Sequence, residues 1–465
     1  MISNFTENID HLMRNAQLKK DQNNLKEALD ILKRILDINP KNKKALNNIG
    51  NIFKEKGMHD EAIKFYKKSI SVDFNYKTAK INLAILYHEL GDLKNAETLY
   101  RELVLLDNKN LSVLFNLSRV NFNFFDNKII NDIKNTLKND KLTNYDKASG
   151  YFILAKNEQK KKDLEKEMEY LNKGHEFFCK STNPKIFNQS LSYWLEVIPQ
   201  KFNKIKIIND KLIEKKNNLL RPIFIIGMPR SGSTLIESII SSGKVTIPNG
   251  GETATINWGV IKSIKESNQI NFPNIDDLTI DCKKISKDIT ERYENLNLIK
   301  KEKKYFFIDK SLENFFYIEL ILKIFPNAKF IHCERNHKDS VFAIYQNFLT
   351  KMSWTHSLEN ILIYIDNYLK VMQYFKKIYA DKIFSINLSN FTDNTVKISK
   401  KMFNFCNLDW SDQSLEFYKR TDLLSKTASN IQIREKVFKY NKEKYIIYKK
   451  FIEEFEKKYS WLNDN

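Results

Sequence analysis

Pro222-Ile-Phe-Ile-Ile-Gly-Met-Pro-Arg-Ser-Gly-Ser-Thr234 is the stretch that decides how this chain of 465 residues folds. Ile223 to Ile226 is a continuous apolar run of strand length. After the loop, Leu235-Ile236-Glu237-Ser238-Ile239-Ile240 resumes apolar spacing at a helical period, so the segment reads as strand, tight loop, helix. Gly227 and Gly232 let the backbone turn until successive N–H groups and the helix N-terminus converge on one anion; Ser231, Ser233 and Thr234 add hydroxyl donors. The Gly-x4-Gly spacing is that of a nucleotide-binding P-loop, but Ser233 stands where that motif requires lysine. The loop's one cation is Arg230, so an anion held there meets a guanidinium instead of the usual lysine and metal. An ordinary strand-to-helix turn would explain the apolar flanks but not this density of glycines and hydroxyls.

Downstream, Gly250-Gly251-Glu252 delivers a carboxylate after turn signals around a short candidate strand near Val245, and the stretch from there to Lys304 reads as largely helical and polar. A strand over Tyr305–Ile308 ends in Asp309-Lys310. Asp309 is placed as the Mg²⁺-holding residue of a nucleotide hydrolase would be, and Lys310 as a cation aimed at the same loop, since parallel strands open at their carboxyl ends. Another strand, Lys329–Cys333, ends in Glu334-Arg335-Asn336-His337-Lys338-Asp339-Ser340. Convergence of Arg230, Lys310 and Arg335 would make a positive crevice for a ligand with phosphates at two places.

Upstream, the chain repeats itself every 34 residues: Ala28, Ala62 and Ala96 fall in register, as do Leu32, Tyr66 and Tyr100, while Ala45 recurs as Ala79, Ile49 as Leu83, Phe53 as Tyr87 and Gly57 as Gly91. Each unit reads as two helices with small residues at the close approach and glycine at the turn. These residues look like tetratricopeptide repeats, most clearly over 41–74 and 75–108, with a weaker unit ending at Pro40 and degenerate hairpins continuing to about Lys201. Such repeats imply a concave surface for a peptide or protein partner; docking on the second half, to stabilise or to dimerise the chain, is the competing use. The expected organisation is a repeat domain over 1–200, a basic connector over 201–218, and an α/β domain over 219–465.

A hydrophobic content of 42% beside 29% charged residues belongs to a soluble globular protein, and no apolar run or amino-terminal signal points to a membrane, so a cytoplasmic location is expected. Cys179, Cys282, Cys333 and Cys406 lie far apart in the sequence with no paired spacing, which argues against a disulfide framework or a zinc site. The net charge of +20 would draw phosphorylated cofactors or acidic substrates, while the absence of arginine-and-aromatic RNA motifs and zinc fingers leaves nucleic acid a minor option.

Pro-Arg-Ser-Gly-Ser-Thr, Gly-Glu, Asp-Lys, Phe-Pro-Asn-Ala-Lys and Arg-Asn-x-x-Asp-Ser, in this order, resemble the sulfotransferases. The likeness is to the bacterial type that joins tetratricopeptide repeats to a sulfotransferase domain related to tyrosylprotein sulfotransferase, and it covers about Leu220 to Leu462. It implies an all-helical repeat superhelix followed by a P-loop-like α/β domain with a central parallel sheet. The donor it implies is 3′-phosphoadenosine 5′-phosphosulfate, used without a metal. By matching position, Pro229, Arg230, Ser231, Gly232, Ser233 and Thr234 would hold the 5′-phosphosulfate, and Arg335 with Ser340 the 3′-phosphate. Glu252 would be the general base, Lys310 would stabilise the leaving phosphate, and Arg230 would orient the reacting groups. Thr427 to Arg434, with Gln432 and Arg434, is similar to a late segment of the family that closes over the nucleotide. The chain departs from the family at Ala343, where a serine is usual, at Lys436, where a proline is usual, and at Ser389, where an acidic residue is usual. The implied acceptor is a tyrosine in an acidic peptide, with a polysaccharide or a hydroxylated metabolite as the alternatives. Two rival functions stand beside this one: a P-loop kinase using Asp309, and a repeat scaffold whose second domain is degenerate.

Overall fold

The computed structural model describes residues 8–22, 24–210, 217, 219–266, 278–299, 305–420, 423, 425, 430, 432–441 and 444–463. The first half opens with three antiparallel helical hairpins: α1 (Ile9–Asp21) with α2 (Leu25–Ile38), α3 (Lys43–Glu55) with α4 (His59–Val72), and α5 (Lys77–Leu90) with α6 (Leu93–Leu106). The alanines and tyrosines that recur every 34 residues form the seams. Ala28, Ala45, Ala62, Ala79 and Ala96 are fully buried, as are Tyr66 and Tyr100. A methyl group at Gly50 would sit 2.6 Å from the Tyr66 ring, so a larger residue there would push the paired helices apart. At the end of α5, Gly91 takes φ +82° and the Asp92 N–H bonds the Tyr87 carbonyl at 2.9 Å, which satisfies a helix-end carbonyl and reverses the chain.

Helices continue to Lys201, as the spacing predicts. Two of them, Asn144–Lys161 and Leu164–Ser181, place Phe152, Met168 and Leu171 in one apolar core with Phe224, Ile226 and Val341 of the second half. The helical half is therefore docked on the α/β half through a shared core.

Six strands follow among the described residues: β1 (Lys206–Ile208), β2 (Arg221–Gly227), β3 (Thr279–Asp281), β4 (Phe306–Asp309), β5 (Lys329–Glu334) and β6 (Ile383–Asn387). β1 lies in the expected connector and pairs in parallel with β3, which interrupts the stretch expected to be largely helical. The main sheet is parallel throughout, in the order β4-β2-β5-β6. β2 is covered on both faces: Ile223 and Ile225 join Ile236 and Ile239 of the helix after the loop, and Phe224 and Ile226 join the core shared with the repeats. That two-sided cover is why its sequence is continuously apolar instead of alternating.

The chain runs from β2 to β4 on one side and later to β5 on the other, so the order reverses between β2 and β5, where parallel sheets open a crevice for ligands. No strand forms around Val245; Asn249 makes a single parallel bridge to Ile308. The backbone nonetheless tracks β4, with Ile308 N–H to Pro248 O, Gly250 N–H to Ile308 O and Lys310 N–H to Gly251 O, each at 2.9 Å. This pairing sets Glu252 beside Lys310. No described helix is long and apolar enough to cross a membrane.

Candidate active site

The loop after β2 has the backbone its glycines foretell. Arg230 has φ +68° and Gly232 φ +88°, left-handed turns that lead straight into the N-terminus of the helix Ser233–Ser241, while the Ser231 N–H is spent on the Met228 carbonyl at 3.3 Å. Gly227, at φ +141°, lies so close to β5 that an added Cβ would be 2.4 Å from the Cys333 carbonyl oxygen. Pro229 is buried, and Ser233 and Thr234 sit 5% exposed in the first helical turn. Ser231 is 2% exposed, and its hydroxyl has no hydrogen-bond partner among the described residues. A buried hydroxyl left without a partner is costly, and an anion in the loop would satisfy it.

Arg335, at the end of β5, crosses the switch point: its Nη1 donates to the Arg230 carbonyl at 3.0 Å, and its Nε donates to the Tyr440 hydroxyl at 2.9 Å. The guanidinium lies 5.0 Å from the ring centroids of both Tyr440 and Tyr445, and Tyr440 in turn donates to Asp339. A cavity of about 230 Å³ is lined here by Arg230, Gly232, Arg335, Leu388, Gln432 and Lys436, among others. Leu388, just past β6, packs against the position a Cβ of Gly232 would take. Gln432 accepts a long contact, 3.4 Å, from Arg230, whose pKa is lowered by burial and by neighbouring Arg335. The late segment thus covers the phosphate loop.

Of the residues expected to hold the donor, Pro229, Ser231, Ser233 and Thr234 do not line this cavity, and Arg434 and Ser340 are engaged elsewhere. Arg434 donates to the carbonyls of Arg420, Leu423 and Glu89 and packs on Gly91, which ties the late segment to the turn between α5 and α6. Ser340 is 1% exposed, and its hydroxyl donates to Asn336 O at 3.0 Å within its own helix. Ala343 is fully buried in the core. Residues 427–429 and 431 of the late segment lie outside the described residues.

Glu252 and Lys310 line a second, larger cavity of about 1260 Å³. Lys310 Nζ is 3.1 Å from Glu252 Oε1 and 3.6 Å from Glu237 Oε2. The lysine and Glu237 are buried, at 1% and 4% side-chain exposure, whereas a third of Glu252 is open to the cavity. Burial works against the charge on Lys310, but the two carboxylates prevail and hold its pKa above the ordinary lysine value. Burial raises Glu237 to about 7 despite the lysine, with Glu252 adding repulsion. The expected positive crevice therefore divides: Arg230 and Arg335 share one cavity, while Lys310 faces the other inside a carboxylate pair. Asp309 is fully buried and accepts from Thr253, Tyr293, the Ser311 N–H and Asn314, at 2.6, 2.7, 2.7 and 3.3 Å. Those four donors use its oxygens to fix the end of β4, so the kinase reading loses the metal ligand it relied on.

Sequence reasoning passed over Glu237, Tyr440 and Tyr445. Glu237 had a signal, the one charged residue in the phosphate-loop helix, a turn from its start and flanked by Ile236 and Ile239–Ile240. The tyrosines had none, because their role depends on a segment about a hundred residues beyond Arg335 folding back over it.

Residues 222–412 match the model of the sulfotransferase family, and residues 44–76 and 78–110 each match a tetratricopeptide-repeat model. Over these residues the chain is similar to a sulfotransferase domain preceded by tetratricopeptide repeats. Among individual proteins, an uncharacterized protein of Aquifex aeolicus (strain VF5) is 29% identical over 328 residues, which are 66% of this chain and 40% of that relative. The chain thus spans about two fifths of the relative's length. Solved structures with some likeness include the sulfotransferase domain of the Synechococcus PCC 7002 olefin synthase, 14% identical, covering 47% of this chain and 85% of its own, at a TM-score of 0.32. YrrB, a tetratricopeptide-repeat protein with an unusual peptide-binding site, is 18% identical over 37% of this chain and 88% of its own, at a TM-score of 0.29.

Proposed function

We propose that this chain is a sulfotransferase that passes a sulfuryl group from 3′-phosphoadenosine 5′-phosphosulfate to an acceptor hydroxyl, with a protein tyrosine as the acceptor. The observation that carries this reading is the Glu252–Lys310 pair, 3.1 Å apart, held beside the helix that begins at the phosphate loop. The residues present fit the donor. Its 5′ end suits the loop from Pro229 to Thr234, where the Ser231 hydroxyl lacks a partner, and its 3′-phosphate suits Arg335. When bound, the donor supplies a sulfuryl group already activated by a phosphate leaving group.

The chain's own groups divide the remaining work. Glu252, the open carboxylate, takes the proton of the acceptor hydroxyl, a contribution of ~10²–10⁴ in rate. Lys310 stays protonated between two carboxylates and would meet the departing oxygen where the donor passes from the phosphate loop toward Glu252; removing such a fixed donor costs ~10²–10³. Arg230 orients the group in transfer. The sulfuryl group carries one negative charge, so fixed cations suffice to balance it: the two arginines from the first cavity and the lysine from the second.

The test is single-turnover transfer of ³⁵S from the labelled donor to a tyrosine-containing peptide, run beside titrations with adenosine 3′,5′-bisphosphate and with ATP and Mg²⁺. Transfer together with preference for the bisphosphate supports the reading. Preference for ATP and Mg²⁺, with phosphoryl transfer, overturns it.

A further inference from the structure

The cavity in front of Glu252 is not walled by the second half alone. Lys20 of α1, Asn51, Lys54 and Glu55 of α3, and the turn Lys56–His59 into α4 close its far side. That turn is fixed in place: Gly57 has φ +72°, and the Asn297 side chain donates to the Lys56 carbonyl at 2.9 Å. With its backbone held, the turn presents the Lys56 and Met58 side chains to the cavity, Met58 being 40% exposed.

The charge of the lining is one-sided. Lys20 is paired with Glu55, Lys54 with Glu89, and Lys310 with Glu237 and Glu252, so the positive excess of the lining rests on Lys56, Arg292, Lys351 and Arg420. Arg292 adds an independent observation. Its guanidinium stacks 4.7 Å from the Trp258 ring centroid, and its buried Nε has no hydrogen-bond partner among the described residues. An unpartnered guanidinium nitrogen in a cavity wall is costly, and a ligand carboxylate would relieve it. The described lining contains no Phe, Tyr or Trp on which a sugar ring could stack, whereas it offers asparagine amides and backbone from both halves to an extended main chain.

We propose that the α3–α4 turn of the second repeat is one wall of the acceptor site, where Lys56, with Arg292 opposite, selects a polypeptide bearing acidic side chains next to its hydroxyl. The inference rests on the proposed reading, in which the acceptor reaches Glu252 from this cavity. It gives the repeats a specific part: they complete the site at its entrance and choose what enters.

The test uses the full chain with adenosine 3′,5′-bisphosphate present. A fluorescent nonapeptide with a central tyrosine and Asp/Glu flanks, and its Asn/Gln-flanked counterpart, are titrated by anisotropy against the wild type, Lys56→Glu and Lys26→Glu. Lys26 is an exposed residue of α2 outside the cavity, so its reversal makes the same change in net charge. Reversing one partly exposed charge should weaken the acidic peptide by about three- to thirty-fold in Lys56→Glu and by less than about twofold in Lys26→Glu. The amide-flanked peptide should bind all three proteins alike. Equal effects of the two reversals, or no binding of the acidic peptide to the wild type, overturn the inference. Because binding is read without turnover, the selectivity stands if it is found in a protein that transfers no sulfuryl group, and in that case the proposed function alone fails.

Discussion

Replacing Lys310 by methionine should separate the two things the lysine does. Its ammonium lies 3.6 Å from buried Glu237 and 3.1 Å from partly open Glu252. At an effective dielectric of about 20, each contact is worth about 5 kcal/mol before desolvation. Solvent at Glu252 reduces its share to about 1 kcal/mol, and breaking a buried pair from one side typically costs ~3–5 kcal/mol. Lys310→Met should therefore lose ~3 kcal/mol or more at pH 8, where wild-type Glu237 is ionised and paired but the variant's must either stay ionised without its cation or take up a proton. At pH 6 the loss should shrink, since Glu237 already titrates at about 7 with the lysine present and moves higher without it. The recovery should approach about 1.4 kcal/mol per pH unit. Adding Glu237→Gln should remove this pH dependence without restoring chemistry, which should stay ~10²–10³ below wild type in both variants. Urea denaturation at the two pH values, with single-turnover transfer beside it, reads both effects. If Lys310→Met is within about 0.5 kcal/mol of wild type, or if the single and double variants share one pH profile, the buried pair does not work as described.

In the wild type, Glu237 has a raised folded-state pKa, so the folded state binds the extra proton and its contribution to stability falls as pH rises from about 4.5 to about 7. Glu237→Gln should flatten that decline, roughly 3 kcal/mol at most, in denaturation curves taken across the window. Glu252→Gln should keep nucleotide affinity yet slow single-turnover transfer by ~10²–10⁴, because an amide cannot accept the proton; near-normal chemistry would leave the base elsewhere. Arg335→Ala should weaken adenosine 3′,5′-bisphosphate far more than the analogue without the 3′-phosphate, and equal weakening in calorimetric titrations would sink that assignment. Gly227→Ala should cost ~1–3 kcal/mol or more in denaturant, since its positive φ and the Cys333 carbonyl 2.4 Å from an added Cβ leave no room to relax.

Much of the architecture is written locally. The 34-residue register of alanines, aromatics and glycines fixes the repeat hairpins because each position faces the same neighbour in every unit. The apolar run before Gly227 fixes a strand covered on both faces. The order of strand ends carrying Arg230, Lys310 and Arg335 was also legible, since parallel strands deliver their terminal residues to one edge of a sheet. β1, β3 and β6 were missed: the first two are three residues long, and none of the three shows a run that differs from its flanks.

What the sequence by itself determined is the set of local conformations and the chemistry of the loop, because glycine dihedrals, hydroxyl donors and apolar periodicity act over a few residues. Only the tertiary structure decided that Lys310 sits between two carboxylates instead of joining the arginines, and that Arg434 grips the repeats while Tyr440 and Tyr445 flank Arg335. It also decided that the turn at Lys56–His59 closes the cavity before Glu252. Those facts depend on which segments, up to hundreds of residues apart, are pressed together by a core shared between the two halves, and no local pattern records that choice.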